Sequence, residues 1–226
     1  PDAALDPLRT RIEHDLIGDR DVPEAVYYGV HTLRAVENFP ISGQRLYETP
    51  DLVVALAAIK EAAAEANMDL GLLDGERGNA IVAACREIRG GALRDQFVVD
   101  LIQGGAGTST NMNANEVIAN RALELMGHAR GDYRHLHPNE HVNLGQSTND
   151  VYPTALKLAA WTGIHRLGEA MAVISDVAGE LGDYLAELPS DASTLEIKLA
   201  RQAELRALQG AIGECDKQLA DAKAAA

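Results

Sequence analysis

The sequence predicts a mainly α-helical protein in which a mixed N-terminal domain is followed by the start of a central bundle of long helices. Hydrophobic residues make up 46% of the 226 residues but aromatic residues only 4%, a balance typical of helices that pack through alanine and leucine. A second indication is an apolar stripe at helical spacing between Leu156 and Leu181. Because a single helix cannot bury a stripe of that length alone, a bundle is expected.

The mixed part is predicted in the N-terminal domain. Residues 1–48 are rich in turn signals and are predicted to be extended. Helices are predicted from Thr49 to about Asn67 and from Asp74 to Ile88, and a short strand at 96–101. The first of these helices is recognised by residues at helical spacing: Val53, Leu56, Ala57, Lys60 and Ala64.

The second half is predicted to contain three helices. The glycine-rich segment 103–109 leads into a helix that stops at Gly127. A long helix is predicted from Gln146 to about Leu188, with a proline tolerated in its first turn. After a break at 189–191, an amphipathic helix is predicted from apolar residues that alternate in steps of three and four: Leu205, Leu208, Ile212, Cys215 and Leu219.

The acidic balance of the chain limits its partners. A formal net charge of −14 repels phosphate backbones, so nucleic acid is not expected as a partner. The same charge repels dicarboxylates at long range. Any anion site therefore has to be built locally from hydrogen-bond donors.

The compartment is predicted from the cysteines and from the first residues. Cys85 and Cys215 match no metal or redox spacing and are predicted to be free thiols in a reducing compartment. The opening PDAALDPLRTRIEHD lacks the basic and apolar regions of a signal peptide. No uncharged apolar run reaches the roughly 20 residues of a membrane span. A soluble, cytoplasmic protein with no membrane partner is expected.

Two short segments concentrate hydroxyl and amide side chains just before a predicted helix. They are Gly104–Asn111 and Gln146–Asp150. A helix start offers free backbone N–H groups and the positive end of the helix dipole, so each segment is a candidate carboxylate or phosphate cradle. The alternative is that both are only N-caps and turns. A P-loop is excluded because no Gly-Lys-Ser/Thr follows the glycines, and the GGAG spacing does not fit a dinucleotide-binding fingerprint.

Together the two segments favour a carboxylate that gains charge during a reaction. Removing a proton next to a carboxylate creates a doubly negative aci-carboxylate, which needs aimed donors, each typically contributing about 3–4 kcal/mol. Hydroxyls and amides supply such donors without overstabilising the substrate as a buried cation would. The chemistry that fits is β-elimination from a dicarboxylate.

Three stretches of the sequence resemble signature regions of one enzyme superfamily. They are GDRDVPEAVYYGVHTLRAVENFPISG near the start, QGGAGTSTNMNANEVIANRALELMG around the first segment and HPNEHVNLGQSTNDVYPT around the second. Each is similar to the corresponding region of the aspartate ammonia-lyases in the aspartase/fumarase superfamily. Fumarases usually carry Ser-Ser-Asn where this chain has Ser147-Thr148-Asn149, so aspartase is favoured and a fumarate hydratase is the alternative.

The resemblance implies roles for four residues. Thr108, Ser147 and Thr148 are expected to bind the β-carboxylate of the substrate and to stabilise the aci-carboxylate, and Asn149 to contact its amino group. In the family, L-aspartate loses ammonia reversibly to leave fumarate, no organic cofactor is used, and magnesium activates some members. For Thr108 and Asn149, helix capping is the alternative role.

Three histidines precede the second segment: His135, His137 and His141. Their spacing crosses a proline, so they cannot share one helix face and no metal site is predicted. In fumarases the matching stretch forms a second, non-catalytic dicarboxylate site. By this resemblance His137 and Asn139 are weak candidates for a second dicarboxylate site.

The resemblance covers roughly residues 10–188 and is expected to stop there. It implies three parts. An N-terminal domain over 1–141 carries the first carboxylate-binding loop, and 142–188 form the first long helix of the central helical domain. Residues 189–226 are expected to be a divergent amphipathic helical tail.

The catalytic base is not identified by the sequence. Family members carry a catalytic serine on a later loop that this chain does not contain, so the catalytic residue is unknown, with Tyr133 and His141 as the remaining candidates. Family active sites are assembled from three subunits of a homotetramer. Each chain must still contain every segment of the site, so we expect the isolated 226 residues to be inactive. The chain is expected to be a fragment, and the alternative is that a divergent C-terminus has replaced the bundle. The alternative of another class is a non-catalytic assembly or dicarboxylate-binding protein.

Overall fold

The structure is a computed structural model that describes residues 9–103, 105–187 and 195–225. In these ranges the chain is mainly helical, with a two-stranded antiparallel sheet near its N terminus. This confirms the predicted fold class. By its internal contacts the chain divides between Ala159 and Ala160 into two compact units.

The sheet is a hairpin of strands β1 (Thr10–Asp15) and β2 (Gly18–Pro23). Its turn is closed by the carboxylate of Asp15, which accepts hydrogen bonds from the backbone N–H groups of Ile17 at 2.9 Å and Gly18 at 3.1 Å. Gly18 has a φ of 123°, a conformation that glycine adopts at little cost. The hairpin lies in the segment predicted to be extended.

Helix α1 (Val30–Asn38) follows the hairpin and is not predicted by the sequence. Its first N–H groups are bound by two buried glutamates from distant parts of the chain. Glu116 accepts from three of these groups at 2.9, 2.9 and 3.0 Å, and Glu13 accepts from the fourth, that of Val30, at 2.8 Å. Because these carboxylates replace a local N-cap, the helix start leaves no signal in the neighbouring sequence.

Helices α2 (Pro50–Asp69), α3 (Gly75–Arg89) and α4 (Thr108–Leu125) form the core of the first unit. Their bounds confirm the predicted helices to within a few residues. Asp74 caps α3, because its carboxylate accepts from the backbone N–H of Arg77 at 3.0 Å. Burying a large aliphatic or aromatic side chain contributes roughly 1.5–3 kcal/mol, and the fully buried set includes Leu56, Ile81, Ile88, Phe97, Ile118 and Leu123.

The short strand predicted at 96–101 is wrong. A 3-10 turn occupies Arg94–Gln96, and strand pairing in the described part of this stretch is limited to one bridge between Arg45 and Asp100. The Asp100 carboxylate accepts hydrogen bonds from the backbone N–H groups of residues 41–43 at 2.8–3.2 Å. Residues 97–101 lie against residues 44–47, where the N–H groups of Leu46 and Tyr47 donate to the carbonyls of Val99 and Phe97 at 3.0 and 2.9 Å. Because the partner segment becomes a 3-10 helix at Leu46–Glu48, this pairing does not extend into a strand ladder.

Helix α5 (Thr148–Glu187) is 40 residues long and confirms the predicted long helix. The loop before it contains one π-helical turn, Pro138–Val142, that the sequence does not predict. The part of α5 up to Ala159 belongs to the first unit. There Val151 and Ala155 are buried in the core.

The second unit contains the remainder of α5 and helix α6 (Leu195–Ala225). A small buried cluster of Ala178, Leu185 and Leu205 joins the two helices. In the predicted stripe of α6, Leu205 and Leu219 are buried, Ile212 is half-buried, and Leu208 and Cys215 are exposed. The stripe is therefore covered at some positions and open at others.

Two further expectations concern thiols and membranes. Cys85, which is buried, and Cys215, which is exposed, are both free thiols, as predicted. In the described ranges, no helix is both long enough and apolar enough to cross a membrane.

Candidate active site

The first predicted segment folds tightly against α5. Gly107 is the N-cap of α4 and has a φ of 85°. A Cβ atom at Gly107 would lie 2.1 Å from the ring of Tyr152 in α5, so only glycine fits here. Gln103 closes the segment, because its Oε1 accepts a hydrogen bond from the N–H of Thr110 at 2.9 Å. Gly104 lies outside the described residues.

Thr108 is the first residue of α4 and not its cap. The cap position belongs to Gly107, which has no side chain to bind the helix N–H groups. The side chain of Thr108 is exposed and lines a shallow cavity of about 220 Å³ together with His31 and Arg34 of α1. Arg34 is already bound to Asp15 at 2.7 Å, so its charge is largely compensated.

In the second segment, Ser147 caps α5. Its carbonyl accepts from the N–H groups of Asp150 and Val151 at 3.0 Å each, and its Oγ accepts from the N–H of Asn149 at 3.1 Å. Asn149 is therefore not the cap, and its side chain is exposed. Thr148 lies between them and is half-buried.

A side-chain hydrogen bond joins the two segments. Nδ2 of Asn111, in the first turn of α4, donates to Oγ1 of Thr148 at 3.1 Å. Together with the contact between Gly107 and Tyr152, this bond places the starts of α4 and α5 side by side. A hydroxyl that accepts one hydrogen bond keeps its own proton to donate. The Thr148 hydroxyl is thus available as a donor, and its role toward a substrate stays a prediction, as do those of Thr108, Ser147 and Asn149.

A buried lysine lies behind this junction and was not identified as a site residue by the sequence. The side chain of Lys60 in α2 is 0% exposed. Its Nζ donates to Oδ1 of Asn143 at 2.6 Å, and Asn111 donates to the same oxygen at 3.1 Å. Burial lowers the pKa of Lys60 to about 7. The signal was present in the sequence, because a lysine occupied a position in the apolar stripe of α2.

Neither remaining candidate base is free to accept a proton. Burial raises the pKa of Tyr133 well above its ordinary value, and its hydroxyl donates to Glu13 at 3.2 Å. Nδ1 of His141 accepts from the backbone N–H of His137 at 2.7 Å. Burial lowers the pKa of His141, so the neutral ring carries its proton on Nε2 and has no free lone pair. Neither residue is arranged as a general base.

At the candidate second dicarboxylate site, two backbone N–H donors are already used. Nδ1 of His137 accepts from the backbone N–H groups of Asn139 at 3.1 Å and Glu140 at 3.3 Å. Burial lowers the pKa of the His137 imidazole, which disfavours the cationic form that would attract a carboxylate. The side chain of Asn139 is exposed. Binding at His137 and Asn139 stays a prediction.

One cluster in the described ranges brings metal-ligand atoms together. It contains His128, Asp132 and His135, whose ligand atoms lie within 4.8 Å of one another. The two imidazoles are stacked with centroids 3.8 Å apart and planes at 8°, so their in-plane lone pairs do not converge on one ion. Arg134 binds both oxygens of Asp132, at 2.8 and 3.1 Å. Magnesium prefers oxygen ligands, so this cluster does not fit it.

Comparison with known proteins identifies the family. A family described as lyase matches residues 18–183 of the chain. The chain belongs to the aspartase/fumarase superfamily of lyases. The matched range contains both donor segments.

Two curated relatives illustrate the sequence similarity. Aspartate ammonia-lyase of Pseudomonas aeruginosa is 59% identical over 154 residues, which cover 68% of this chain and 32% of the relative. Aspartate ammonia-lyase of Pseudomonas fluorescens is 47% identical over 207 residues, which cover 90% of this chain and 43% of the relative. The second match necessarily extends past residue 188, where the resemblance was expected to stop. The chain spans less than half of the length of either relative.

Solved structures show the same fold. The fumarate lyase:delta crystallin of Brucella melitensis superposes with a TM-score of 0.81 at 44% identity, over 95% of this chain and 51% of that one. A class II fumarase of Schistosoma mansoni superposes with a TM-score of 0.71 at 31% identity, over 93% of this chain and 46% of that one.

Proposed function

We propose that the whole protein is an aspartate ammonia-lyase, which removes ammonia reversibly from L-aspartate to give fumarate through an aci-carboxylate intermediate. The observation that carries this proposal is the junction of two helix starts, where Asn111 donates to Oγ1 of Thr148 at 3.1 Å. That arrangement leaves the hydroxyl proton of Thr148 for an incoming carboxylate. The similarity to aspartate ammonia-lyases at 47–59% identity supports the choice of substrate.

The proposed roles follow from neutral donors at the ends of two helix dipoles. Thr108, Ser147 and Thr148 donate to the β-carboxylate, and the helix starts add a partial positive charge. As the Cβ proton leaves, the carboxylate becomes doubly negative, and donors already in place stabilise it without reorganising. Asn149 contacts the amino group that departs as ammonia.

Other parts of the proposed enzyme are expected beyond these residues. We propose that the base is the family's loop serine and that the active site is completed by neighbouring subunits of a homotetramer. The proposed partner is the dicarboxylate or amino-acid substrate, with no nucleic acid and no membrane, in the cytoplasm. No organic cofactor is proposed, and magnesium is proposed only as an activator that takes part in none of these steps.

The experiment that tests the proposal compares two substrates. The whole protein is incubated with L-aspartate and, separately, with L-malate, and the absorbance of fumarate is followed. Fumarate and ammonia are expected from L-aspartate. Fumarate formed only from L-malate would identify a fumarate hydratase. The observation behind this alternative is the 31% identity to the Schistosoma mansoni fumarase.

A third outcome separates an enzyme from a binding protein. If neither substrate gives fumarate but a dicarboxylate binds, the whole protein is a non-catalytic dicarboxylate-binding protein. The isolated 226 residues are expected to release no ammonia, since the proposed base is not among them. Measurable ammonia release by this chain alone would contradict the assignment of the base.

A further inference from the structure

Lys60 is a cation enclosed by the core of the first unit. Its side chain is 0% exposed, and Nζ donates to Oδ1 of Asn143 at 2.6 Å. In the described part of the chain, no carboxylate forms an ion pair with it. Taking an ammonium group out of water without a counter-charge is unfavourable. A buried lysine that lowers stability in this way is expected to serve a function.

The lysine fixes the orientation of the amide next to it. In its ammonium form, which prevails below pH 7, Lys60 has only donors, so Asn143 has to present its oxygen to it. The amide nitrogen of Asn143 then points the other way and donates to the carbonyl of Gln146 at 3.0 Å, which anchors the second donor segment.

The orientation of Asn143 in turn fixes the orientation of the Asn111 amide. Because Asn143 presents an oxygen, Asn111 has to approach with its nitrogen, and it donates to that oxygen at 3.1 Å. The same Nδ2 also donates to Oγ1 of Thr148 at 3.1 Å. The oxygen of Asn111 is left buried without a hydrogen-bond partner. A buried oxygen without a partner lowers stability, and most buried amides are oriented so that this does not occur. The orientation of Asn111 is therefore set by its neighbours.

We propose that Lys60 is a positioning residue for the dicarboxylate site. Acting through Asn143 and Asn111, its donor-only head group makes the Thr148 hydroxyl an acceptor on its protein side and a donor on its substrate side. This inference rests on the proposed function, since it assigns a carboxylate to the outer side of Thr148. A positive charge behind the donors also favours the doubly negative intermediate over the substrate.

A structural role and a positioning role predict opposite results for stability and activity. If Lys60 only supports the fold, its removal destabilises the protein and leaves kcat of the folded enzyme unchanged. If it positions Thr148, removing a buried, uncompensated charge leaves stability equal or higher, and kcat falls.

The deciding variant is Lys60→Met in the whole protein, since methionine keeps the length of the stem without the ammonium. We expect kcat for L-aspartate to fall at least tenfold, KM to stay within about threefold, and the thermal midpoint to stay equal or rise. The matched control is Lys157→Met, at an exposed position of α5, with kcat and midpoint expected unchanged. An unchanged kcat, or a loss of fold, in Lys60→Met would overturn the proposal.

A double-variant cycle tests the route of the effect. Because Lys60 is proposed to act through Asn111, the loss from Lys60→Met should largely disappear in an Asn111→Ala background. If the kcat losses of Lys60→Met and Asn111→Ala instead multiply in the double variant, the proposed route is overturned. If the wild-type whole protein is inactive on L-aspartate, the proposed function fails instead, and succinate binding by calorimetry replaces kcat. A tenfold weaker affinity in Lys60→Met would then support the role of Lys60, and an unchanged affinity would overturn it.

Discussion

At the start of α5, one hydroxyl receives a hydrogen bond from a buried amide and keeps its own proton to donate. The amide belongs to Asn111, which is 1% exposed, and the hydroxyl to Thr148. Because a buried amide cannot turn freely, the direction in which this hydroxyl donates is set before any substrate arrives. Preorganised donors of this kind stabilise developing negative charge most effectively.

The role of Thr148 is tested by Thr148→Ala in the whole protein. We expect kcat for L-aspartate to fall by more than tenfold, since an oxyanion donor typically contributes about 3–4 kcal/mol. The matched control is Thr154→Ala in the same helix, whose hydroxyl donates to the carbonyl of Asp150 at 2.6 Å, and here kcat is expected to change less than twofold. An unchanged kcat in Thr148→Ala would remove Thr148 from the proposed site.

The buried charge of Lys60 makes stability depend on pH. Burial lowers its pKa from 10.5 to about 7, whereas the unfolded chain keeps the ordinary value. Between these values the unfolded state binds more protons, so the contribution of Lys60 to the free energy of unfolding rises with pH. Below pH 7 the full cost applies, about 5 kcal/mol from a shift of this size. The neighbouring thiol of Cys85 stays neutral throughout, because burial raises its pKa.

This dependence is measured by urea unfolding of the wild type and of Lys60→Met at several pH values. We expect the variant to be the more stable at pH 6. Its advantage should shrink as the pH rises from about 7 toward 10.5. An advantage that does not change with pH would show that the pKa of Lys60 is the same in the folded and the unfolded protein, so that burial does not lower it.

At the level of elements, the contact between the start of α4 and the ring of Tyr152 in α5 holds the two donor segments together. This contact requires glycine at position 107 for two reasons: the backbone has a φ of 85°, and there is no room for a Cβ atom. Gly127, at the end of α4, has a φ of 82°, but a Cβ atom added there would meet nothing within 4 Å. Substitutions at the two positions therefore distinguish the cost of backbone strain from the cost of a clash with Tyr152.

We expect Gly107→Ala to lower the free energy of unfolding by more than Gly127→Ala. At Gly127 only the left-handed backbone is strained, at a cost of roughly 1–2 kcal/mol. At Gly107 the ring of Tyr152 also has to move, which displaces the start of α5. Denaturant unfolding of the two variants gives the comparison, and equal losses would mean that the contact with Tyr152 is not tight.

For the whole molecule, the second unit leaves large apolar side chains of α5 exposed. They include Val173 at 63% and Val177 at 58%, one helical turn apart. A helix with such residues on its surface is expected to be covered in an assembly. The homotetramer proposed for the whole protein provides other copies of the same chain as the cover.

The assembly is tested by analytical ultracentrifugation of the whole protein carrying Val173→Asp and Val177→Asp together. We expect the wild type to sediment as a tetramer and the double variant to shift to smaller species, since burying two carboxylates is costly. Asp176→Asn, on the same helix and also exposed, is the control and should leave the tetramer intact. A double variant that remains tetrameric would show that this face is not buried between subunits.

By itself, the sequence determined the helical class, the bounds of α2 to α5 to within a few residues, the presence of α6 and the two donor segments. These features depend on signals that act within a few residues: apolar periodicity, glycines that end helices, and hydroxyl or amide residues before a helix. The capping role considered for Thr108 and Asn149 could not be settled in this way, because which residue takes the cap depends on where the helix starts.

Only the tertiary structure decided which polar groups meet across the chain. The start of α1 depends on Glu116, 85 positions from His31, and the orientation of Asn143 depends on Lys60, 83 positions away. The predicted strand at 96–101 is instead the end of a 3-10 turn and a single bridge, because its partner segment becomes a 3-10 helix at Leu46–Glu48. Buried carboxylates, amides and ammonium groups choose partners by spatial proximity and by donor or acceptor character, and no local pattern in the sequence records that proximity.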